Sequence, residues 1–323
     1  MSNSQGPEGR ALHRPGQEHF VANVDETPLL ATDSLDESRA PASLWMEAWK
    51  NLRKNPIFIV AAVLILFILF VVAFPSVFTK EDPRLGILSR SLGNPEPGHP
   101  FGFTKQGYDV FARTIYGARA SVAVGALTTV LVVIVGGILG AIAGFFGGIV
   151  DTLISRLTDI FFAIPLILAA IVLLQLFKGG TTIYSVVLVL SAFGWPQVAR
   201  ITRGAVISVR NSEFVVASTA LGNSRMKNLR KHVLPNSLAP VIVIATLSLG
   251  IYIVVEATLS FLGLGLPPSV MSWGNDISTA QASIRDQPMV LFYPAAALAL
   301  TVLAFIMLGD AVREALDPKA RKR

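Results

Sequence analysis

The chain has 323 residues, 52% of them hydrophobic and only 15% charged, against roughly 25% charged in an average soluble domain. With a mean hydropathy of +0.59, its class is integral membrane. There is no cysteine, which excludes disulfides and thiolate metal sites. The net charge of +6 and the pI near 9.7 are read as cations flanking membrane spans, not as a nucleic-acid surface.

Residues 1–40 are polar, without apolar periodicity, and read as a disordered N-terminal tail. No short apolar run follows a basic start, so they do not read as a cleaved signal peptide. Residues 41–56 form an amphipathic interfacial helix in this reading. Trp45, Trp49 and Leu52 recur at i, i+4 and i+7, which puts them on one helical face against membrane lipid. The alternative is a plain extension of the following span. Six uncharged gaps then follow, at 55–79, 120–150, 160–177, 179–199, 233–255 and 287–309. Each is long enough for a helix of about 20 residues to cross the hydrocarbon. Ile57 to Phe78 alone holds 17 Ile, Leu, Val or Phe among 22 residues. The expected organisation is a first transmembrane helix with an external loop at 57–116, a five-helix core at 117–312 and a basic tail at 313–323.

Placing the N-terminus in the cytoplasm and alternating the spans leaves 19 of the 27 lysines and arginines inside. This bias puts both termini in the cytoplasm and the loops after the first and fifth spans outside. In the second span Gly136, Gly140, Gly144 and Gly148 recur every four residues. Such a stripe lets helix backbones approach closely in lipid. Pro165 and Pro196 are expected to kink the third and fourth spans.

Catalytic signatures are missing. The chain has no phosphate-cradling G-x-x-x-x-G-K-[ST] loop, no H-E-x-x-H and no G-x-S-x-G. Its four histidines show no ligand spacing. The spans lack the mid-membrane charges that ion-coupled carriers use. Glu256, near the outer end of the fifth span, reads as a rim carboxylate facing water, with substrate contact as the alternative. A stand-alone secondary carrier and a membrane-embedded enzyme both lose ground to a pathway powered from another chain.

The stretch from Asn211 to Asn236 separates two apolar spans by 26 residues and carries Arg225, Lys227, Arg230 and Lys231. A helix from Glu213 to Leu221 is expected to end at Gly222, the usual residue just past a helix C-terminus. Asn223 or Ser224 caps a second helix over 225–233. Leu234-Pro235-Asn236 is expected to close that helix before the fifth span. Two short helices joined at a glycine make a stiff protruding knob, and Ala217 and Ala220 leave room for a partner to pack closely.

This stretch resembles the coupling loop of binding-protein-dependent ABC importer permeases, E-A-A-x-x-x-G, nine residues, then I-x-L-P. Ala217, Gly222, Leu234 and Pro235 fall in register. Val216 stands in place of the Glu, Ser218 of the second Ala and His232 of the Ile. Three further stretches are similar to the C-type branch of dipeptide, oligopeptide and nickel importers: His99 to Ser121, Ala143 to Asp159, and Glu256 to Gly265 followed by S-W-G at Ser272 to Gly274. Phe103 and Tyr108 depart from that branch's Thr and Arg. The resemblance covers Leu44 to Leu316.

The resemblance implies an all-α fold of six transmembrane helices, that of a type I importer permease in the bacterial inner membrane. It implies a second, homologous permease, two ATPase subunits or domains that carry the ATP and magnesium, and an external substrate-binding protein; this chain itself needs no cofactor. Contact with the ATPase falls to Glu213, Ala217, Ser218, Ala220, Leu221, Gly222, His232, Leu234 and Pro235. Closure of the ATPase pair drags two such knobs together and turns the pathway outward. Peptides are the leading cargo, with nickel or another small solute as the alternative.

Overall fold

The computed structural model describes residues 44–177 and 180–316. The 1–40 tail and all but the first residues of the 313–323 tail lie outside the described residues. The chain divides into two compact units, 1–47 and 48–323. Of the first, only the opening turn of helix α1 (Leu44–Leu52) is described. The second holds α2 (Pro56–Ala73), α3 (Val110–Phe146), α4 (Gly148–Phe162), α5 (Leu166–Leu174), α6 (Ile183–Arg210), α7 (Glu213–Ala220), α8 (Arg225–Asn228), α9 (Leu234–Phe261), α10 (Trp273–Ala280) and α11 (Met289–Leu316). Among the described residues five helices are long and apolar enough to cross a membrane, and the pair α4–α5 makes a sixth if it counts as one bent span. Among the described residues the fold is all-α, as expected from the sequence, with six spans when α4–α5 is taken as one.

α2 starts where Asn55 caps it, accepting the amides of Ile57 at 2.8 Å and Phe58 at 3.4 Å. Pro56 follows at the first helical position, where its missing N–H costs nothing. Ile65, Ile68 and Val71 pack on Ala304 and Phe305 of α11 and on Val122 of α3. The helix ends at Ala73, and Arg119 caps its free carbonyls, donating to Val72 O at 2.8 Å and Ala73 O at 3.0 Å. The α2–α3 loop folds around His99, which bonds Asp109 at 2.5 Å and Arg90 at 3.2 Å. Phe103 and Tyr108 have a role here. The Arg90 guanidinium lies 5.2 Å from the Phe103 ring centre and that of Arg113 4.9 Å from Tyr108, within cation–π range.

α3 differs from its expected start. It begins at Val110, not at the charge-free 120–150 stretch, and its 37 residues reach about 55 Å. That exceeds the hydrocarbon core by about 25 Å, and Arg113 and Arg119 lie within the first ten residues of the helix. The third span is broken at Pro165, where α4 and α5 meet at 78°. Pro196, by contrast, sits inside an unbroken α6.

α3 packs chiefly along α6, backbone on backbone. A Cβ on Gly136 would meet Trp195 O at 2.6 Å, and one on Gly144 would meet Arg203 O at 2.7 Å. Gly140 lies between them, against Ala199 O. Three glycines spaced by four thus face three carbonyls spaced by four. Gly148 does not belong to this stripe. α3 ends at Phe146, and Gly148 takes a positive φ of +57° with no neighbour within 4 Å. The stripe therefore seals this chain's own core.

At the same end, Asp151 of α4 takes a bidentate ion pair from Arg203 of α6. Asp159 bonds Arg200 at 3.2 Å. Arg210, at the end of α6, caps α3 by donating to Gly144 O and Phe145 O, each at 3.0 Å. α3, α4 and α6 are thus tied together where α6 runs into α7.

Glu256 is corrected as well. It is 0% exposed and takes the Ser260 hydroxyl at 2.8 Å. It is a buried carboxylate, not a rim group facing water.

Gly137 has open space where Gly140 has a carbonyl. Gly140→Ala is therefore expected to destabilise the chain by about 1–3 kcal/mol through overpacking. Gly137→Ala should stabilise it by about 0.5–1 kcal/mol from helix propensity. Melting temperatures of the two variants in detergent give the comparison.

Candidate coupling site

The knob is α7 and α8 with their connection. Glu213 opens α7, and the helix ends in a paired turn. Gly222, at φ +84°, donates to Thr219 O at 3.0 Å, and Asn223 donates to Ser218 O at 3.2 Å. This is the pattern that a glycine in the left-handed region permits and a β-carbon opposes. Ser224 then caps α8, accepting the Lys227 amide at 3.3 Å.

The expected stop at Leu234-Pro235-Asn236 does not occur. A π-turn at Leu229–Val233 carries α8 straight into α9, so 225–261 behaves as one long helix. The physical cause is Pro235. Its ring would collide with the carbonyl four residues back in a regular α-helix. Widening the turn just before it, with the Leu234 amide bonded to Leu229 O, lets the chain pass without a break. The knob is consequently welded to a transmembrane helix.

The knob's inner face is apolar and anchored. Val215, Leu229 and Val233 pack on Ala141 and Phe145 of α3 and Val206 of α6. Between α7 and α8 the contact is polar. Asn228, 3% exposed, accepts the Ser218 hydroxyl at 2.8 Å and donates to Thr219 Oγ1 at 2.9 Å. Asn223 donates to Ser218 Oγ at 2.9 Å. Asn228 thus clasps the two helices together.

The sequence-derived contact residues divide in two. Glu213, Ala217, Ala220, Leu221, Gly222 and Pro235 are exposed, and Leu221 is 84% exposed. Ser218 is turned inward and serves the clasp, so it offers nothing to a partner. His232 and Leu234 are half-buried, His232 lying 6.4 Å from the Phe214 ring. Sequence reasoning missed Phe214, Val216 and Met226, which join Leu221 as exposed apolar side chains. It also missed Asn228. The signal for Asn228 was a polar residue next to Leu229 and five before Val233, on the buried side of an otherwise cationic helix.

The chain belongs to the binding-protein-dependent transport system inner membrane components, whose family profile matches residues 136–322. A second profile, the N-terminal transmembrane domain of oligopeptide transport permease C, matches residues 43–91. The chain is similar to the oligopeptide transport system permease protein OppC of Bacillus subtilis, at 36% identity over 90% of this chain and 95% of that one. It is similar to the dipeptide transport system permease protein DppC of Alkalihalophilus pseudofirmus, at 37% over 88% and 93%. It is also similar to the glutathione transport system permease protein GsiD of Escherichia coli, at 34% over 93% and 97%. Among solved structures it resembles a chain of the inward-facing MetNI methionine ABC transporter, with a TM-score of 0.52 and 20% identity over 64% of this chain and 96% of that one. That likeness concerns the fold. The chain is an inner-membrane permease component.

Removing the clasp tests the knob's construction. Asn228→Ala leaves the buried Ser218 hydroxyl without its acceptor, at a cost of about 1–3 kcal/mol. Amide exchange across 213–233 should then speed up while the spans stay protected.

Proposed function

We propose that this chain forms half of the translocation pathway of an ATP-driven importer of di- and oligopeptides. The observation that carries this reading is the identity of more than a third with oligopeptide and dipeptide permeases across nearly the whole of both chains. The other half of the pathway is a second, related permease. Two ATPase subunits or domains bind and hydrolyse ATP with magnesium, and an external binding protein delivers the peptide. The cation distribution supports cytoplasmic termini and a cytoplasmic knob.

In this reading the knob seats in a cleft of one ATPase. Its tip is apolar, with Phe214, Val216, Leu221 and Met226 exposed, and Ala217 and Ala220 allow close approach. Glu213, Gly222 and Pro235 lie at its margin, while Ser218, His232 and Leu234 stiffen it from within. Closure of the ATPases on ATP moves the knob. Because the knob continues into α9 and rests on α3 and α6, the spans move with it. Val216 supplies an apolar contact where the coupling-loop pattern has a Glu.

The test is uptake into proteoliposomes that hold this chain with its permease, ATPase and binding-protein partners. Labelled di- and oligopeptides should accumulate with ATP, and nickel should not. Leu221→Asp alters only an exposed side chain, so the chain should melt as before while uptake falls at least about tenfold, a loss of roughly 1.4 kcal/mol of coupling. Uptake of nickel without peptide would refute the cargo. Full uptake by Leu221→Asp would refute the knob's role.

A further inference from the structure

α9 is one helix from the knob at Leu234 to Phe261, about 42 Å long. The segment 262–288 that follows it therefore lies on the opposite side of the membrane from the knob. Buried polar contacts hold this segment in place. Glu256, 0% exposed, stands beneath it on α9. Its Oε1 accepts the Ser260 hydroxyl at 2.8 Å. Ser121 of α3 and Ser272, the N-cap of α10, flank the carboxylate, and among the described residues Oε2 has no hydrogen-bond partner. All three serines are 1% exposed or less.

Each of these serines also accepts a backbone amide of the segment. Leu266 N–H reaches Ser260 Oγ at 3.1 Å, Trp273 N–H reaches Ser121 Oγ at 3.2 Å, and Asn275 N–H reaches Ser272 Oγ at 3.2 Å. A hydroxyl has a single proton to donate. With an amide already on its oxygen, each serine has that proton free for the carboxylate. Ser260 gives its proton to Glu256 Oε1, and the Ser121 and Ser272 hydroxyls stand beside the group with theirs free to turn toward Oε2. A second set of ties fixes α10 to α3. Arg113 donates to Asp276 Oδ1 at 2.7 and 2.5 Å, and Trp273 Nε1 donates to Thr114 O at 2.9 Å. Gly274 brings the α10 backbone onto α9, where a Cβ would lie 2.7 Å from Ala257 Cα.

We propose that Glu256 is a positioning residue that orders Ser121, Ser260 and Ser272, so that the segment 262–288 keeps the shape that receives the external binding protein. The proposal rests on the importer reading above, which supplies the partner. The segment presents Leu262 and Ile284 at its surface, 52% and 49% exposed. The same buried network joins that surface to α3 and α9. Reception of the binding protein and the state of these two spans are thereby mechanically linked.

The discriminating variant is Glu256→Gln, which keeps size and shape but introduces an NH2 donor. That donor opposes one serine hydroxyl and forces it to turn, releasing its amide. The experiment titrates ATP hydrolysis by the assembled importer in proteoliposomes with peptide-loaded binding protein. The half-saturating concentration should rise at least about tenfold while the plateau rate stays within about twofold. Ser272→Ala should move it in the same direction by less, and it serves as the test if Glu256→Gln does not insert. Amide exchange at Leu266, Trp273 and Asn275 should accelerate in both variants. An unchanged half-saturating concentration, or a lowered plateau at unchanged half-saturation, would overturn the inference. A wild-type complex indifferent to binding protein would overturn the importer reading and the inference with it.

Discussion

The structure depends on the backbone contact between α3 and α6. Gly136, Gly140 and Gly144 let α3 lie directly on the carbonyls of Trp195, Ala199 and Arg203. In lipid the surrounding tails are as apolar as leucine, so burying large side chains gives helices little reason to associate. Close approach is what remains: van der Waals contact along a smooth groove and weak Cα–H donors against carbonyls. Three glycines in register cost helix propensity, and their spacing makes that cost intelligible.

The rest of the knob end is built on this contact. Because α3 and α6 are locked, Arg210 reaches the last carbonyls of α3, and Arg203 and Arg200 reach the carboxylates of α4. Phe145 and Val206 then form the floor on which Val215, Leu229 and Val233 sit. The break at Pro165 lies just beyond the last of these ties. α4 therefore belongs with the knob end while α5 leaves at 78°. At the opposite end Leu266, Trp273 and Ala280 sink into the core, and hydroxyls, a buried carboxylate and an ion pair hold the loop around them.

Much of this was legible in the sequence, for identifiable reasons. Hydropathy found the spans because lipid tolerates few charges. It truncated α3 because Arg113 and Arg119 look like a boundary. In the fold one pairs with Asp276 and the other caps α2. Gly222 and Ser224 announced the knob because their effects are local. The continuation through Pro235 was hidden, since proline normally stops a helix and only the widened turn before it lets the helix pass. The partner of the glycine stripe was equally hidden, because α6 lies some sixty residues away in sequence. Glu256 was misread for the same reason. Two of the three hydroxyls around it come from α3 and α10, and no window along the chain brings them together. Ser218 fits the family pattern by position, yet its side chain answers to Asn228.

The central claim is that the knob and the adjoining ends of α3, α4 and α6 move as one body. The chain has no cysteine, so two can be introduced alone, at Lys227 on α8 and Arg156 on α4, both exposed. Spin labels at these positions report their separation in the assembled importer by pulsed electron resonance, with and without trapped ATP. The account predicts a separation constant to within about 2 Å, the scale of ordinary helix shifts. A nucleotide-dependent change of more than about 5 Å, a full helical turn, would contradict it.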